Sequence, residues 1–169
     1  MANWKQIKAE DWKENIFHLL DKEWTLITAQ RNDGSSNQMT ASWGGFGILW
    51  GKPVAFLFVR PERYTHLFMT DDAKISLSFF DEAHRAALAY CGKHSGREGD
   101  KSEKAGLSPV SLPNGFPTYQ EARLAISLKK LFQADMREEQ FVEKEMLKFY
   151  QKDGFHTVYV CEILEINGR

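Results

Sequence analysis

Apolar residues recur along the chain with two different periods, and each change of period marks an element. In "AEDWKENIFHLLDKEW" (residues 9–24), Trp12, Ile16, Leu19 and Leu20 fall at helical spacing, which predicts a short amphipathic helix. "WTLITAQR" is rich in β-branched and aromatic residues and predicts a strand; "NDGSSN" is a turn cluster, and "QMTASWG" continues as the returning strand. "PVAFLFVR" is a short apolar run after a proline, the pattern of a strand buried on both faces. "RPERYTHLFMT" opens with a proline suited to a first helical turn and places Tyr64, Leu67 and Phe68 on one face.

"AKISLSFF" predicts another strand, and "DEAHRAALAYCGKH" a helix with an acidic start and a glycine stop. "SGREGDKSEKAGLSP" is a polar loop with one helical turn around residues 102–105. "YQEARLAISLKKLFQADM" alternates only in part and is assigned to a long strand with room for a bend. "REEQFVEKEMLKFYQKDG" carries the cleanest helical pattern: Val142, Met146, Phe149 and Tyr150 form a stripe, acids lead, lysines trail, and Asp-Gly ends it. "FHTVYVCEILEI" is the closing strand.

The pattern interleaves six strands with short helices, without a repeat or an interdomain linker, and predicts one domain over residues 1–169. Early strands follow one another through turns, which does not fit strict βαβ alternation. A mainly β architecture fits better: a barrel or curled antiparallel sheet with helices packed outside. "GGFG" is not the glycine fingerprint of a dinucleotide site, and no glycine-lysine-threonine loop occurs.

Composition narrows the function. A net charge of −1 gives no electrostatic footprint for nucleic acid. Cys91 and Cys161 lie far apart without metal-ligand spacing, which predicts two buried reduced thiols, and no His–carboxylate cluster suggests a metal. The first residues are charged with no apolar run behind them, so neither a signal peptide nor a membrane span is expected, and the chain reads as cytoplasmic. The aromatic share, 13 %, is high enough to direct attention to stacking surfaces.

Three segments carry candidate chemistry. In "NQMTASWGG", the hydroxyls of Thr40 and Ser42 beside Gly44 and Gly45 suit an oxyanion approached by backbone; the same residues also read as a strand ending in a glycine bend, with Trp43 and Trp50 in the core. In "RPERYT", Arg60 and Arg63 match a phosphate, with Tyr64 and Thr65 at a helix start; a capped surface helix with solvated arginines reads equally well. In "CGKHSGREGDK", His94, Ser95, Arg97 and Lys101 form a donor-rich loop, or simply a solvated one, and no triad partner marks His94. Together they are what a ligand with an aromatic ring system and a phosphate tail would require.

These segments, in this order, resemble the flavin reductase-like, FMN-binding split-barrel family, including flavoredoxin-type proteins. The resemblance runs from about Trp24 to Lys104 and is weaker in "EARLAISLKKLFQADM" and the closing strand. It implies a six-stranded antiparallel split β-barrel with peripheral helices, a homodimer, and FMN in a groove near the dimer interface. Carried over, Asn37, Met39, Thr40, Ala41, Ser42 and Trp43 would line the ring and phosphate side. Arg60, Tyr64 and Thr65 would surround the ribityl phosphate. His94, Ser95, Gly96 and Arg97 would lie near the flavin, with Lys101 a further contact. The activity implied is hydride transfer from NADH or NADPH to flavin, with a redox partner such as a monooxygenase downstream. A flavoredoxin-like electron carrier without pyridine-nucleotide activity, and a barrel without cofactor, are the alternatives. No motif for the nicotinamide is present, and no catalytic side chain is assigned.

Overall fold

The computed structural model describes residues 3–169. Its centre is an eight-stranded antiparallel sheet. The strands are β1 (Lys5–Ile7), β2 (Thr25–Gln30), β3 (Ser36–Ala41), β4 (Gly44–Leu49), β5 (Lys52–Val59), β6 (Lys74–Phe79), β9 (Leu124–Asp135) and β10 (Thr157–Gly168), while β7 (Pro109–Ser111) and β8 (Pro117–Tyr119) make a separate hairpin. The order is β3-β2-β6-β9-β10-β5-β4, with β1 added along β10. The six expected strands are β2, β3, β5, β6, β9 and β10, so the split-barrel class holds with a higher strand count.

Two strands of the sheet were not expected, the short β1 and the longer β4. The three glycines of β4 have low β-propensity, yet β4 pairs with β5 from Gly44↔Leu57 to Leu49↔Lys52. Gly44 is required there, because a Cβ would stand 2.9 Å from the Phe56 carbonyl oxygen. The hairpin turns through Trp50 and Gly51, both at positive φ (51° and 69°), as the twist of a two-residue β-turn demands.

The chain between Ala41 and Gly44 connects the two open edges of the sheet, β3 and β4, and this is where the barrel splits. Along the opposite seam, β10 pairs with both β9 and β5. Two register shifts bend it: Leu131 has no opposite number between the Val160↔Phe132 and Cys161↔Lys130 pairs, nor has Leu164 between Ile163 and Glu165. The barrel interior holds Ile27, Ile75, Leu77, Ile126, Leu128 and Tyr159. A second cluster, including Leu26, Leu88, Cys91 and Tyr119, fills the space under the helix outside β2. Cys91 and Cys161 are free and buried, as expected.

The helical expectations hold less well. Residues 9–24 do not form one helix: a 3-10 turn (Ala9–Asp11) is followed by α1 (Ile16–His18), which the Asn15 side chain caps, and then by a π turn (Leu19–Glu23). The turn ends at Trp24, whose φ of 67° stops it. After Arg60 only a 3-10 turn (Tyr64–Phe68) forms; Thr65, fully buried and bonded to Asn37, sets the inner face, and Leu67 turns outward. α2 (Arg85–Lys93) is as expected except that Gly92 lies inside its last turn, packed 3.3 Å (from a notional Cβ) against Thr40. The turn near residue 102 is α3 (Lys101–Lys104).

The clearest helical pattern fails outright. Residues 138–150 form two 3-10 segments, Glu138–Gln140 and Lys144–Tyr150, with no buried residue in either. An amphipathic stripe folds as an α-helix when a core takes up its apolar face. Here none does, and Val142 stands 92 % exposed.

Candidate functional site

The split in the barrel opens two adjoining clefts. One, of about 200 Å³, is walled by Met39, Thr40, Ala41, Ser42 and Trp43 from the end of β3, by Phe58 and Arg60 from the end of β5, and by Arg63 and His156. The other, of about 240 Å³, is lined by Asn37, by the Tyr64–Thr65 turn start, by the 92–97 loop after α2 and by Lys101. Arg63 lines both. The structure thus places every residue carried over from the sequence in one or the other of two clefts that meet at Arg63.

The two halves differ in chemistry. The first is the more apolar and aromatic of the two. Trp43 sits edge-on to Phe149 at 5.5 Å and 5.5 Å from His156, whose ring also meets Phe58. The Nδ1 of His156 is 2.8 Å from the Tyr150 hydroxyl. Burial, and then the neighbouring Arg60 charge, push its pKa down to about 4, so the imidazole is neutral at neutral pH.

The second half is rich in cations and hydroxyls. Lys101 is 4 % exposed and donates to the backbone carbonyls of Gln38 and Cys91. Burial, against the partial compensation of the Cys91 thiol, lowers its pKa to about 8. Asn37 Nδ2 donates to Thr65 Oγ1 at 2.7 Å. Gly96 lets the loop close on this pair: a Cβ there would lie 1.9 Å from Asn37 Oδ1 and 2.9 Å from Tyr64 Cδ1. Arg97 stacks over the Tyr64 ring at 4.8 Å and donates to Glu62 O. His94 is tied back, its ring stacked on Tyr90 at 4.0 Å and its Nδ1 3.1 Å from the Tyr90 carbonyl oxygen.

The two arginines of "RPERYT" are placed differently. Arg60 donates to Asp153 at 2.9 Å and to the Phe149 carbonyl at 2.8 Å. The Arg63 guanidinium has no hydrogen-bond or ion-pair partner among the described residues, and burial and the Arg60 charge pull its pKa below the ordinary value. A half-buried cation left unpaired at the meeting of both clefts has donors free for an anion.

His156 and the pivotal position of Arg63 are what sequence reasoning missed. Arg63 stood in the motif, but nothing local separated it from Arg60. His156 follows an Asp-Gly turn at the start of β10, and only the pairing of β10 with β5 brings it to the groove.

A larger cavity, about 510 Å³, lies between His18, Lys22 and Glu23 and the start of α2. Its cations are already engaged: Arg123 with Glu14 at 2.8 Å and Glu23 at 2.5 Å, Arg85 with the carbonyls of Lys22 and Glu23. It has no unpaired arginine comparable to Arg63. Among the described residues no group of His, Cys, Asp and Glu is arranged to hold a metal, and no helix is long and apolar enough to cross a membrane.

An antiparallel barrel split between its β3 and β4 edges fits the flavin-reductase-like fold class. The chain belongs to the flavin reductase-like family: the model described as "Flavin reductase like domain" matches residues 18–169. Among solved structures, flavoredoxin of Desulfovibrio vulgaris (Miyazaki F) is similar, with 24 % identity, 87 % of this chain and 69 % of that chain covered, and a TM-score of 0.66. An FMN-binding domain of flavin reductases-like enzyme from Shewanella baltica OS155 matches at 14 % identity over 98 % of this chain and 77 % of its own, TM-score 0.69. The styrene monooxygenase flavin reductase of Pseudomonas putida S12 matches at 14 % identity, covering 86 % and 79 %, TM-score 0.61. At these identities the likeness is one of fold. A search of curated proteins finds no match.

Proposed function

We propose that this chain binds FMN in the groove and passes hydride from NADH or NADPH to it. The single observation that carries the reading is the unpaired Arg63 guanidinium, standing where an apolar cleft meets a cationic one. The residues fit the group. Gly96 lets the loop pack directly against Asn37 and Tyr64 at the cleft, Lys101 has no carboxylate partner among the described residues, and Met39, Ala41 and Trp43 line the apolar side.

When bound, FMN supplies an acceptor at N5 for the hydride from nicotinamide C4. The chain's own part is placement. Arg63 and Lys101 would hold the phosphate, helped by the hydroxyls of Tyr64 and Ser95. The free edge of β3 and the Ser42 hydroxyl would offer polar groups to the ring. His156, neutral and fixed by Tyr150, adds a polar group to the aromatic wall without adding charge. The transfer needs no proton from a side chain, so catalysis rests on orientation and exclusion of water.

The purified protein is expected to be yellow, or to quench its tryptophan emission on titration with FMN, and then to oxidise NADH or NADPH aerobically. A protein that takes up no FMN refutes the reading. FMN uptake without pyridine-nucleotide turnover instead identifies an electron carrier, the second reading, which the flavoredoxin likeness supports. The exposed Ile48, Trp50 and Phe132 side chains, 74 %, 58 % and 48 % accessible, suit a homodimer contact. A monooxygenase or other redox protein is the expected acceptor.

A further inference from the structure

The segment between β9 and β10 borders the apolar half of the groove yet is anchored by almost nothing of its own. None of residues 136–155 is buried. Its internal order comes from a small aromatic cluster of Phe141, Tyr150 and Phe155, with centroids 4.9 to 5.6 Å apart. Such a stretch belongs to the low-stability end of a fold unless something fastens it.

Two side chains that follow β5 do so. The fork of Arg60 donates to the Phe149 carbonyl at 2.8 Å and to Asp153 at 2.9 Å, and its guanidinium lies 5.1 Å from the Tyr150 ring centroid. The Asp153 pair alone is mostly solvated and contributes little; the backbone acceptor and the ring give the fork its hold. Glu62 accepts from the Gly154 backbone N–H, and a Cβ at position 154 would stand 2.4 Å from that carboxylate oxygen, so an alanine there pushes the carboxylate aside. The fastened segment supports two groups of the groove from behind. Phe149 backs Trp43, and the Tyr150 hydroxyl fixes His156.

We propose that residues 141–154 are a strap that shapes the aromatic wall for the second planar substrate, with Arg60 and Glu62 as its latch and thus as positioning residues. The inference rests on the FMN reading of the groove. It gives the neighbouring arginines separate tasks: Arg63 faces the anion, whereas both terminal nitrogens of Arg60 are already engaged within the protein. Loosening the latch frees Phe149, Tyr150 and with them His156, so the site for the hydride donor loses shape while the phosphate cradle stays.

The test uses the FMN-loaded full chain and the variants Arg60→Met, Arg60→Lys and Glu62→Ala. Tryptic cleavage at Lys144, Lys148 and Lys152 is expected to quicken roughly tenfold in Arg60→Met and Glu62→Ala, because opening of the strap becomes easier. FMN affinity stays within about threefold of the parent, since no group facing the phosphate is lost. KM for the nicotinamide donor rises roughly tenfold while kcat changes less, the pattern of a lost binding surface. Arg60→Lys, which keeps the charge and one donor direction, falls between. Unchanged cleavage overturns the proposal, as does a loss of FMN affinity equal to that of Arg63→Ala. If Arg60→Met does not fold, Gly154→Ala repeats the test by displacing the Glu62 carboxylate. A parent protein that takes up no FMN refutes the flavin reading alone, and the cleavage comparison still decides the latch.

Discussion

Replacing Gly96 by alanine puts a methyl group where the structure has no room, and the cost divides in an informative way. The new Cβ would sit 1.9 Å from Asn37 Oδ1 and 2.9 Å from the Tyr64 ring. Asn37 cannot yield cheaply: it is 4 % exposed and its amide donates to Thr65, a bond worth about 1 kcal/mol that would be lost along with its packing. Forcing the methyl in with everything else fixed would cost about 1–3 kcal/mol. The Gly96–Glu98 turn is exposed on its outer side, so the cheaper response is for the loop to lift away from β3. Lifting moves Ser95 and Arg97 off the groove. The expected result is a melting temperature lowered by only about 2–4 °C, the equivalent of roughly 1 kcal/mol for a chain of this size. FMN affinity, by contrast, falls by about tenfold or more, roughly 1.4 kcal/mol. Differential scanning calorimetry of the apoprotein and a fluorescence titration with FMN read the two numbers separately. FMN affinity within a factor of about two of the parent would refute the reasoning, because a displaced loop would then not be part of the site.

Arg63→Ala should weaken FMN binding by about tenfold or more, as expected for a charge-assisted contact to phosphate, and leave the apoprotein's melting temperature unchanged or slightly higher, since an unpaired half-buried cation is removed; isothermal titration and calorimetry check this. The Lys101 ammonium is charged below a pKa of about 8 and becomes neutral above it, so FMN affinity should decline from pH 8 towards 10, and Lys101→Met should flatten that decline. For His156 the folded-state pKa lies below the unfolded value. Between pH 6.5 and about 4 the unfolded chain therefore binds the proton and the folded one does not, and stability falls as pH falls through that window. Urea denaturation at pH 7 and 4.5 should show a loss of up to about 3 kcal/mol in the parent that is largely absent in His156→Gln.

Elements whose register is fixed by burial were legible in the sequence. β2, β6 and β10 read correctly because one or both faces are apolar, and a strand has no other way to hide such residues. β4 did not, because its glycines serve a close approach to Phe56 that no local pattern reveals. The 138–150 stripe misled for the opposite reason: helical periodicity states what a segment could bury, and this one has nothing in the monomer to bury against. The groove-lining residues of three segments were legible because each cluster is local in sequence. His156 was not, since its place depends on a strand pairing across about a hundred residues. The separate settings of Arg60 and Arg63 were equally hidden, because two arginines three residues apart look alike until their acceptors are known.

The seam of the sheet has a consequence for how this protein comes into being. β10 unites two sets of strands, yet among the described strands it is the last to leave the ribosome, and its register partner Val59 lies far back in the chain from Thr157. Strands β2, β3, β6 and β9 can assemble while β10 is still being synthesised, but the β4–β5 hairpin must wait with its inner edge bare. Contacts this distant close slowly, so the nascent chain passes through an interval with half a sheet formed and a sticky hairpin adrift, the period in which a chaperone would do the most good.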